Sequence, residues 1–143
     1  MKATAFLRKD HEKIQDLAQK LRSKNGNGKR ALFEEMRREL SFHSDIEHEL
    51  FYPELSNSTS DKAADLVKTA LQEHDRIEKL LSEINFNNGG EKHAETRIEE
   101  LLGLVEAHIQ YEEDELFMEA RRVFSEHHLE ELGLEMDGRK RIL

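Results

Sequence analysis

Apolar residues recur every three or four positions along most of the chain, which is the spacing of one face of an α-helix. Three turn-forming stretches interrupt this pattern: SKNGNGK (23–29), SNSTSD (56–61) and NFNNGGE (85–91). In the second, Ser58 and Ser60 are natural helix N-caps. Because short turns join consecutive helices as antiparallel neighbours, the pattern predicts an all-α fold, an up-down-up-down four-helix bundle.

The end of the chain, SEHHLEELGLEMDGRKRIL (125–143), predicts a short extra helix or tail. Leu129, Leu132 and Met136 lie on one face of it and are expected to dock on the bundle. We expect residues 1–143 to form a single domain, with the bundle over about 3–121 and a C-terminal extension over about 122–143.

Each of the four predicted helices has an apolar face, here called its seam. Polar side chains interrupt the four seams at similar levels of the bundle. Each of the four seams contains one histidine: His11, His43, His74 and His108. Three of these are followed one turn later by a glutamate: Glu47, Glu78 and Glu112. The third seam, for example, comprises Val67, Leu71, His74, Glu78 and Leu81. Counted from the turns, the four histidines lie at one level of the bundle to within about one or two helical turns.

A lone seam histidine is most simply a hydrogen-bonded core residue. A seam glutamate is harder to explain, because an ionised carboxylate buried without a partner costs several kcal/mol or more. Residues four apart stack on one helix face, so each His-x-x-x-Glu pair directs two donors into one pocket. The layer therefore predicts a metal site, and the alternative is a metal-free bundle with a polar core.

The two halves of the chain also resemble each other. DHEKIQDL around His11 matches EHDRIEKL around His74, and HSDIEHELF matches HIQYEEDELF, at offsets of 63 and 65 residues. This similarity indicates a duplicated helical hairpin, in which each half supplies one lone histidine and one His-x-x-x-Glu.

Composition narrows the chemistry of the layer. The chain has no cysteine, which excludes disulfides, thiolate ligands and thiol catalysis. Imidazole and carboxylate donors without thiolate suit iron, and also manganese or zinc. The donors exceed what one ion takes, so two cations sharing a carboxylate are expected. A net charge of -9 argues against a nucleic-acid partner. No apolar run approaches the roughly 20 residues that a membrane span needs, and no signal peptide is visible. We therefore expect a cytoplasmic protein without membrane contact.

The order of these residues resembles the hemerythrin family, and most closely its bacterial HHE cation-binding domains. HSDIEHELFYPEL and HIQYEEDELF are similar to the two repeated motifs of that branch. The resemblance covers about residues 5–120 and implies a non-heme di-iron centre in a four-helix bundle. It implies that His11 and His43 hold one iron and that His74 and His108 hold the other. Glu47 and Glu112 would bridge the two.

One position departs from the family's oxygen carriers, which have a further histidine where this chain has Glu78. A carboxylate favours ferric iron, so the departure argues against reversible oxygen carriage. Glu78 is included as a further ligand, with the alternative that it turns toward Arg76 or Lys79.

Other polar residues are assigned away from the ligand set. His48 lies about 100° round the helix from Glu47, which favours an exposed position or one behind the ligands. Tyr111 either borders the site or is an ordinary bundle residue. Surface positions are expected for His93, His127 and His128, and a solvated acidic face for Glu113, Asp114 and Glu115.

The leading hypothesis is a di-iron protein that binds, senses or reacts with oxygen, nitric oxide or peroxide. The sequence leaves open whether it is a sensor or an oxidoreductase acting on peroxide or nitric oxide, and it indicates no catalytic side chain, organic cofactor or protein partner. The alternative is an iron-homeostasis or protein-interaction bundle without redox turnover. The absence of cysteine argues against an iron-centre repair role.

Overall fold

A computed structural model describes residues 1–24, 28–86 and 90–142, and within these ranges the chain forms five helices and no strand. Helix α1 is Ala3–Ser23, α3 is Asp61–Glu83 and α5 is Glu126–Ile142. Helix α2 spans residues 28–56 and α4 spans residues 90–123, each with a π-helical turn inside it. Their parts are Gly28–Ile46, Glu47–Phe51 and Tyr52–Ser56 in α2, and Gly90–Tyr111, Glu112–Leu116 and Phe117–Val123 in α4.

The predicted all-α class is confirmed. The first and third predicted turns lie partly outside the described residues. None of the described helices combines the length and apolar character that crossing a membrane requires.

The turn before α3 shows how local chemistry ends one helix and begins the next. The Ser60 hydroxyl accepts a hydrogen bond from the Ala63 N–H at 3.0 Å, which confirms Ser60 as an N-cap. Ser58 has a different role, because its hydroxyl donates to the Leu55 carbonyl at 2.7 Å and so closes the end of α2.

The apolar core has two parts, and each of the first four helices passes from one to the other at or close to its histidine. The first cluster contains Leu7, Ile46, Phe51, Leu55, Val67, Leu116, Phe117, Leu129, Leu132 and Met136, among others. The second contains Ile14, Leu17, Leu21, Phe33, Met36, Ile77, Leu80, Leu101, Val105 and Ile109, among others. In α1, for example, Leu7 lies in the first cluster and Ile14 in the second, with His11 between them. The fold therefore places a polar layer between two apolar halves.

Contacts between neighbouring helices run in opposite directions along the chain. Lys13 of α1 pairs with Glu39 of α2 at 2.7 Å, whereas His11, nearer the start of α1, meets His43, nearer the end of α2. Helix α5 packs on α1, and the structure buries its expected docking residues, Leu129, Leu132 and Met136, in the first cluster.

The predicted seam of α3 is wrong at two positions. Leu71 is 37% exposed and Glu78 is exposed, whereas Ala70 and Ile77 are buried. At about 100° per residue, Ala70 and Ile77 lie on one side of His74 and Glu78 lies about 40° to the other side. The inward face of α3 is thus rotated away from Glu78.

Candidate metal centre

Six buried side chains meet between the two apolar clusters: His11, His43, Glu47, His74, His108 and Glu112. They form two overlapping groups. The first contains His11 and His43, the second contains His74 and His108, and both contain the two glutamates. Within each group the possible ligand atoms lie within 4.8 Å of one another. The two carboxylates therefore lie where they could be shared.

Within each histidine pair the Nε2 atoms face each other. They are 3.1 Å apart between His11 and His43, and 2.8 Å apart between His74 and His108. The carboxylates reach the same space: Glu112 Oε1 is 3.1 Å from His11 Nε2, and Glu47 Oε1 is 3.2 Å from His74 Nε2. In each facing pair the two Nε2 atoms therefore point at a common space, where a single cation could take both as ligands once they are unprotonated.

Glu47 is the least satisfied residue in the layer. Among the described residues, neither of its buried carboxylate oxygens finds a hydrogen-bond partner. His43 and His74 place Nε2 at 3.3 and 3.2 Å from Oε1, but not in hydrogen-bonding geometry. A buried carboxylate without partners is costly, and a cation held between imidazole and carboxylate donors removes that cost. The residues present therefore fit a pair of divalent first-row metal ions.

Charges within the layer act on one another. Burial opposes ionisation of both Glu47 and His43, yet their mutual attraction, together with the other polar side chains around them, outweighs it. The pKa of Glu47 is consequently held well below its usual range, and that of His43 is raised well above it. Burial also opposes the charge of His108, but Glu112 beside it raises the pKa. Since a metal ligand must be unprotonated at Nε2, a metal ion bound here would displace protons.

Each histidine is also held from behind through Nδ1. The Nδ1 atom of His11 is 2.8 Å from Glu113 Oε2, and that of His108 is 2.8 Å from Glu73 Oε1. For His43 the partner is Asp10 Oδ2 at 3.3 Å. An Nδ1–H that donates to a carboxylate fixes the ring orientation, so that the ring, once neutral, directs the lone pair of Nε2 toward the centre.

His74 has a different partner behind it. Its Nδ1 lies 2.8 Å from His48 Nε2, and the two rings stack at 4.9 Å. Burial and the charge of His74 lower the pKa of His48, which suits a neutral ring that accepts the proton of His74 Nδ1. His48 thus lies behind a ligand candidate, one of the two positions that the sequence favoured.

Both π-helical turns begin at a glutamate of the layer. The N–H of Tyr52 donates to the Glu47 carbonyl, and the N–H of Phe117 donates to the Glu112 carbonyl. The turn places the residue five positions after the glutamate beside the layer: Phe117 stacks on His11 at 5.6 Å. Tyr52 donates its hydroxyl hydrogen to Glu112 Oε2 at 2.5 Å and lies 3.1 Å from His74 Nε2. π turns are rare and frequently occur at functional sites.

A family model matches most of the chain, and its description is Hemerythrin HHE cation binding domain, over residues 2–120. The chain belongs to the hemerythrin HHE cation-binding domain family. The fold is similar to the crystal structure of an HHE cation-binding domain-containing protein from Mycobacterium kansasii, with 30% sequence identity and a TM-score of 0.84. That similarity covers 97% of this chain and 85% of the other. A search of curated proteins found no match.

Tyr52 is a residue of this HHE centre that the sequence analysis does not predict, as are Asp10 and Glu73 behind two of the histidines. In an uninterrupted α-helix, nine residues after His43 would place it about 180° round the axis, facing away. The π turn adds a residue and brings it back to the inner face. The duplication could have indicated Tyr52. Aligning the two halves pairs it with Phe117, so an aromatic residue follows each glutamate by five positions.

A cavity of about 320 Å³ lies beside the layer, lined mainly by residues of α2 and α3 and also by residues of α1 and α4. Three of the histidines, His43, His74 and His108, line it together with six apolar and five polar side chains. Glu78 lies in its wall and is exposed, and it belongs to neither group of close donors among the described residues. The structure thus brings together six of the seven predicted ligands and leaves Glu78 apart.

Among the remaining polar residues, one position differs from its expected place and the others agree. Glu113 was expected on a solvated acidic face, and that is wrong, because its carboxylate lies behind His11. Tyr111 is half-buried and donates to the Leu66 carbonyl at 3.4 Å, as an ordinary bundle residue does. His93 and His127 are exposed, and His128 is half-exposed beside Glu54.

Proposed function

We propose that this HHE domain holds two iron ions in the polar layer. His11 and His43 would bind one ion, His74 and His108 the other, and Glu47 and Glu112 would bridge them. The observation that carries this proposal is Glu47, a fully buried carboxylate common to both groups that accepts no hydrogen bond among the described residues. Manganese and zinc suit the same donors, and iron is proposed because it supplies electron transfer to small oxidants.

Tyr52 is proposed as a further ligand on the His74 side. Its hydroxyl lies 3.1 Å from His74 Nε2 and 2.5 Å from Glu112 Oε2. Both of these residues belong to the group that would bind the second iron ion. In the metal-free protein, burial and the charges of Glu112 and Glu47 raise its pKa well above the usual value, so it is a phenol. A ligand role for Glu78 stays a prediction, since its side chain would have to turn in from the cavity wall.

The cavity supports binding, sensing or reaction with oxygen, nitric oxide or peroxide. Its apolar side chains, including Ile77, Val105 and Ile109, keep bulk water from three of the histidines while admitting small uncharged molecules. The protein's part is then to position the metal ligands and to exclude water. No side chain of the layer is assigned a separate catalytic role.

The finer architecture is also proposed. We propose that α1 to α4 form an up-down-up-down bundle, that α5 is the predicted C-terminal extension and that residues 1–143 form one domain. The opposed contacts between α1 and α2, and between α3 and α4, support this topology, as does the burial of α5 residues in the shared first cluster.

Iron content tests the proposal. Purified protein is reconstituted with ferrous iron, desalted and analysed for metal, together with the double variant His43→Ala and Glu47→Ala. About two irons per chain are expected for the wild type, one for each group, and at most half of that for the variant. His127→Ala, at an exposed histidine, is the control and should load fully. Wild-type protein that retains no more iron than a chelator-treated sample would overturn the proposal.

Turnover separates an enzyme from a sensor. The iron-loaded protein is mixed with excess hydrogen peroxide, and oxygen release and peroxide loss are followed over many equivalents. Continued consumption indicates an oxidoreductase, whereas a single stoichiometric reaction indicates a sensor. Iron loading without any reaction toward peroxide, oxygen or nitric oxide would favour the iron-homeostasis or interaction alternative.

A further inference from the structure

The last turns of α5 reach the residues behind the first histidine pair. Lys140 Nζ forms an ion pair with Asp10 Oδ1, and the other oxygen of the same carboxylate, Oδ2, lies 3.3 Å from His43 Nδ1. Asp10 is buried, whereas the Lys140 side chain is 30% exposed. An uninterrupted series of polar contacts thus connects the C-terminal helix with a proposed ligand.

Asp10 is the principal partner of Lys140. The alternatives are weaker: Glu39 Oε2 is 4.0 Å from Lys140 Nζ and is already paired with Lys13 at 2.7 Å. The Phe6 ring centroid is 5.7 Å away. Asp10 needs such a partner, because a buried carboxylate is costly unless hydrogen bonds and a counter-charge satisfy it. Lys140 and His43 together hold the pKa of Asp10 below its usual value, although burial opposes this.

The second half of the duplicated layer lacks this arrangement. Glu73 corresponds to Asp10, since each directly precedes a lone histidine, and Glu73 lies 2.8 Å from His108 Nδ1. Within the part of the chain that the structure describes, no lysine or arginine pairs with Glu73. Lys140 also lies beyond the residues that match the family model, 2–120. The contact therefore distinguishes one histidine pair of this chain from the other.

We propose that Lys140 is a positioning residue that acts through Asp10 on His43 and raises the reduction potential of the metal pair. The inference rests on the proposed di-iron function. A carboxylate behind a ligand histidine makes the imidazole a stronger donor. An ammonium group on that carboxylate draws its charge away from the histidine, so the ring stabilises the more highly charged ferric state less. Helix α5 would thereby tune a site to which it contributes no ligand.

The test is the midpoint potential of the iron-loaded protein, measured by redox titration of its absorption. For Lys140→Gln we expect the ferric-to-ferrous ratio at a fixed potential to rise about tenfold, which is about 59 mV for a one-electron step. Lys140→Arg should restore the wild-type value. In an Asp10→Asn background the effect of Lys140→Gln should shrink to less than about threefold, because the residue that transmits it is neutral.

Lys2→Gln is the matched control. It removes the same charge and breaks another ion pair of α5, between Lys2 and Glu126 at 3.1 Å, without touching Asp10. A purely structural role would lower the thermal midpoint in both variants and leave the potential unchanged. No shift in Lys140→Gln, or the same shift with Asp10→Asn present, would overturn the inference while iron loading of the wild type upheld the proposed function. A wild type that binds no iron would overturn both.

Discussion

Each histidine of the layer has two tasks, divided between its two ring nitrogens. Nε2 faces the centre, and Nδ1 is bonded to Glu113, Asp10, His48 or Glu73. Three of these partners carry negative charge and one is an imidazole. The His74 side is therefore distinct, since it combines the neutral partner His48 with the hydroxyl of Tyr52.

The raised pKa of His43 predicts how the stability of the metal-free protein depends on pH. Glu47 beside it favours the charged ring despite burial. A group with a raised folded-state pKa contributes its full stabilisation below its unfolded value, 6.5, and loses it as pH rises through the folded value. His108 acts in the same direction. Glu47, with a lowered pKa, loses its contribution only in acid. The free energy of unfolding should fall between about pH 6 and pH 9.

Urea unfolding of chelator-treated protein at about pH 6 and about pH 9 measures this change in the free energy of unfolding. His43→Gln should reduce the pH dependence, and His127→Gln, at an exposed histidine, should leave it unchanged. A free energy of unfolding that rises toward pH 9 would contradict the assigned charges.

Tyr52→Phe tests a residue that the sequence did not indicate. A tyrosinate bound to ferric iron absorbs visible light by charge transfer, so the variant should lose that band while retaining iron on the six remaining donors. Absorption spectra and iron content of the variant are compared with those of Tyr111→Phe, whose hydroxyl bonds to the Leu66 carbonyl. An unchanged visible band in Tyr52→Phe would exclude Tyr52 as a ligand.

At the scale of single helices, the 3.6-residue period explains which inward-facing side chains can be predicted from the sequence and which cannot. His11, His43, His74 and His108 were found because a 3.6-residue period places them on inward faces. Tyr52 was missed because a π turn precedes it, and a fixed period does not contain such a turn. The His-x-x-x-Glu spacing is the same in α2, α3 and α4 and so predicts an inward Glu78, but of these three helices only α2 and α4 have a π turn at the glutamate.

A π turn acts as a one-residue insertion into an α-helix, so deleting one residue from it should be tolerated. Deletion of Glu49, exposed within Glu47–Phe51, should return α2 to a regular helix and keep Phe51 in the core. We expect a stability loss below about 3 kcal/mol. Deletion of the exposed Gln72 in regular α3 should instead rotate His74 by about 100° and prevent folding.

Circular dichroism and thermal melting of both deletions check this. Glu49→Ala separates the loss of the Glu49 side chain, which pairs with Arg139, from the loss of a residue. Equal damage from the two deletions would show that the π turn does not behave as an insertion.

At the scale of the whole molecule, the two apolar clusters hold the polar layer between them, and α5 closes the first cluster. Leu129, Leu132 and Met136 supply apolar contacts, and the C-terminal turns approach Asp10. The sequence indicated this docking face from spacing alone. It could not indicate the contact of Lys140, because that contact depends on how α5 lies against α1.

Gly133 of α5 lies against the two residues that precede α1. A Cβ added there would overlap the Met1 carbonyl oxygen, whereas nothing lies within 4 Å of a Cβ added at Gly138. Gly133→Ala should therefore lower the free energy of unfolding by about 1–3 kcal/mol. Gly138→Ala should raise it by about 0.5–1 kcal/mol, because alanine loses less backbone entropy in a helix. Urea unfolding of the two variants measures both effects, and destabilisation by Gly138→Ala alone would contradict the packing of α5.

The central claim is that one buried layer holds two metal ions joined by Glu47 and Glu112. The most direct test is low-temperature electron paramagnetic resonance of the iron-loaded, fully oxidised protein, with its iron content measured on the same sample. Two ferric ions joined by shared carboxylates couple their spins, so the account predicts about two irons per chain, one for each group, and almost no resonance. A resonance of isolated ferric ions that accounts for all the bound iron would contradict it.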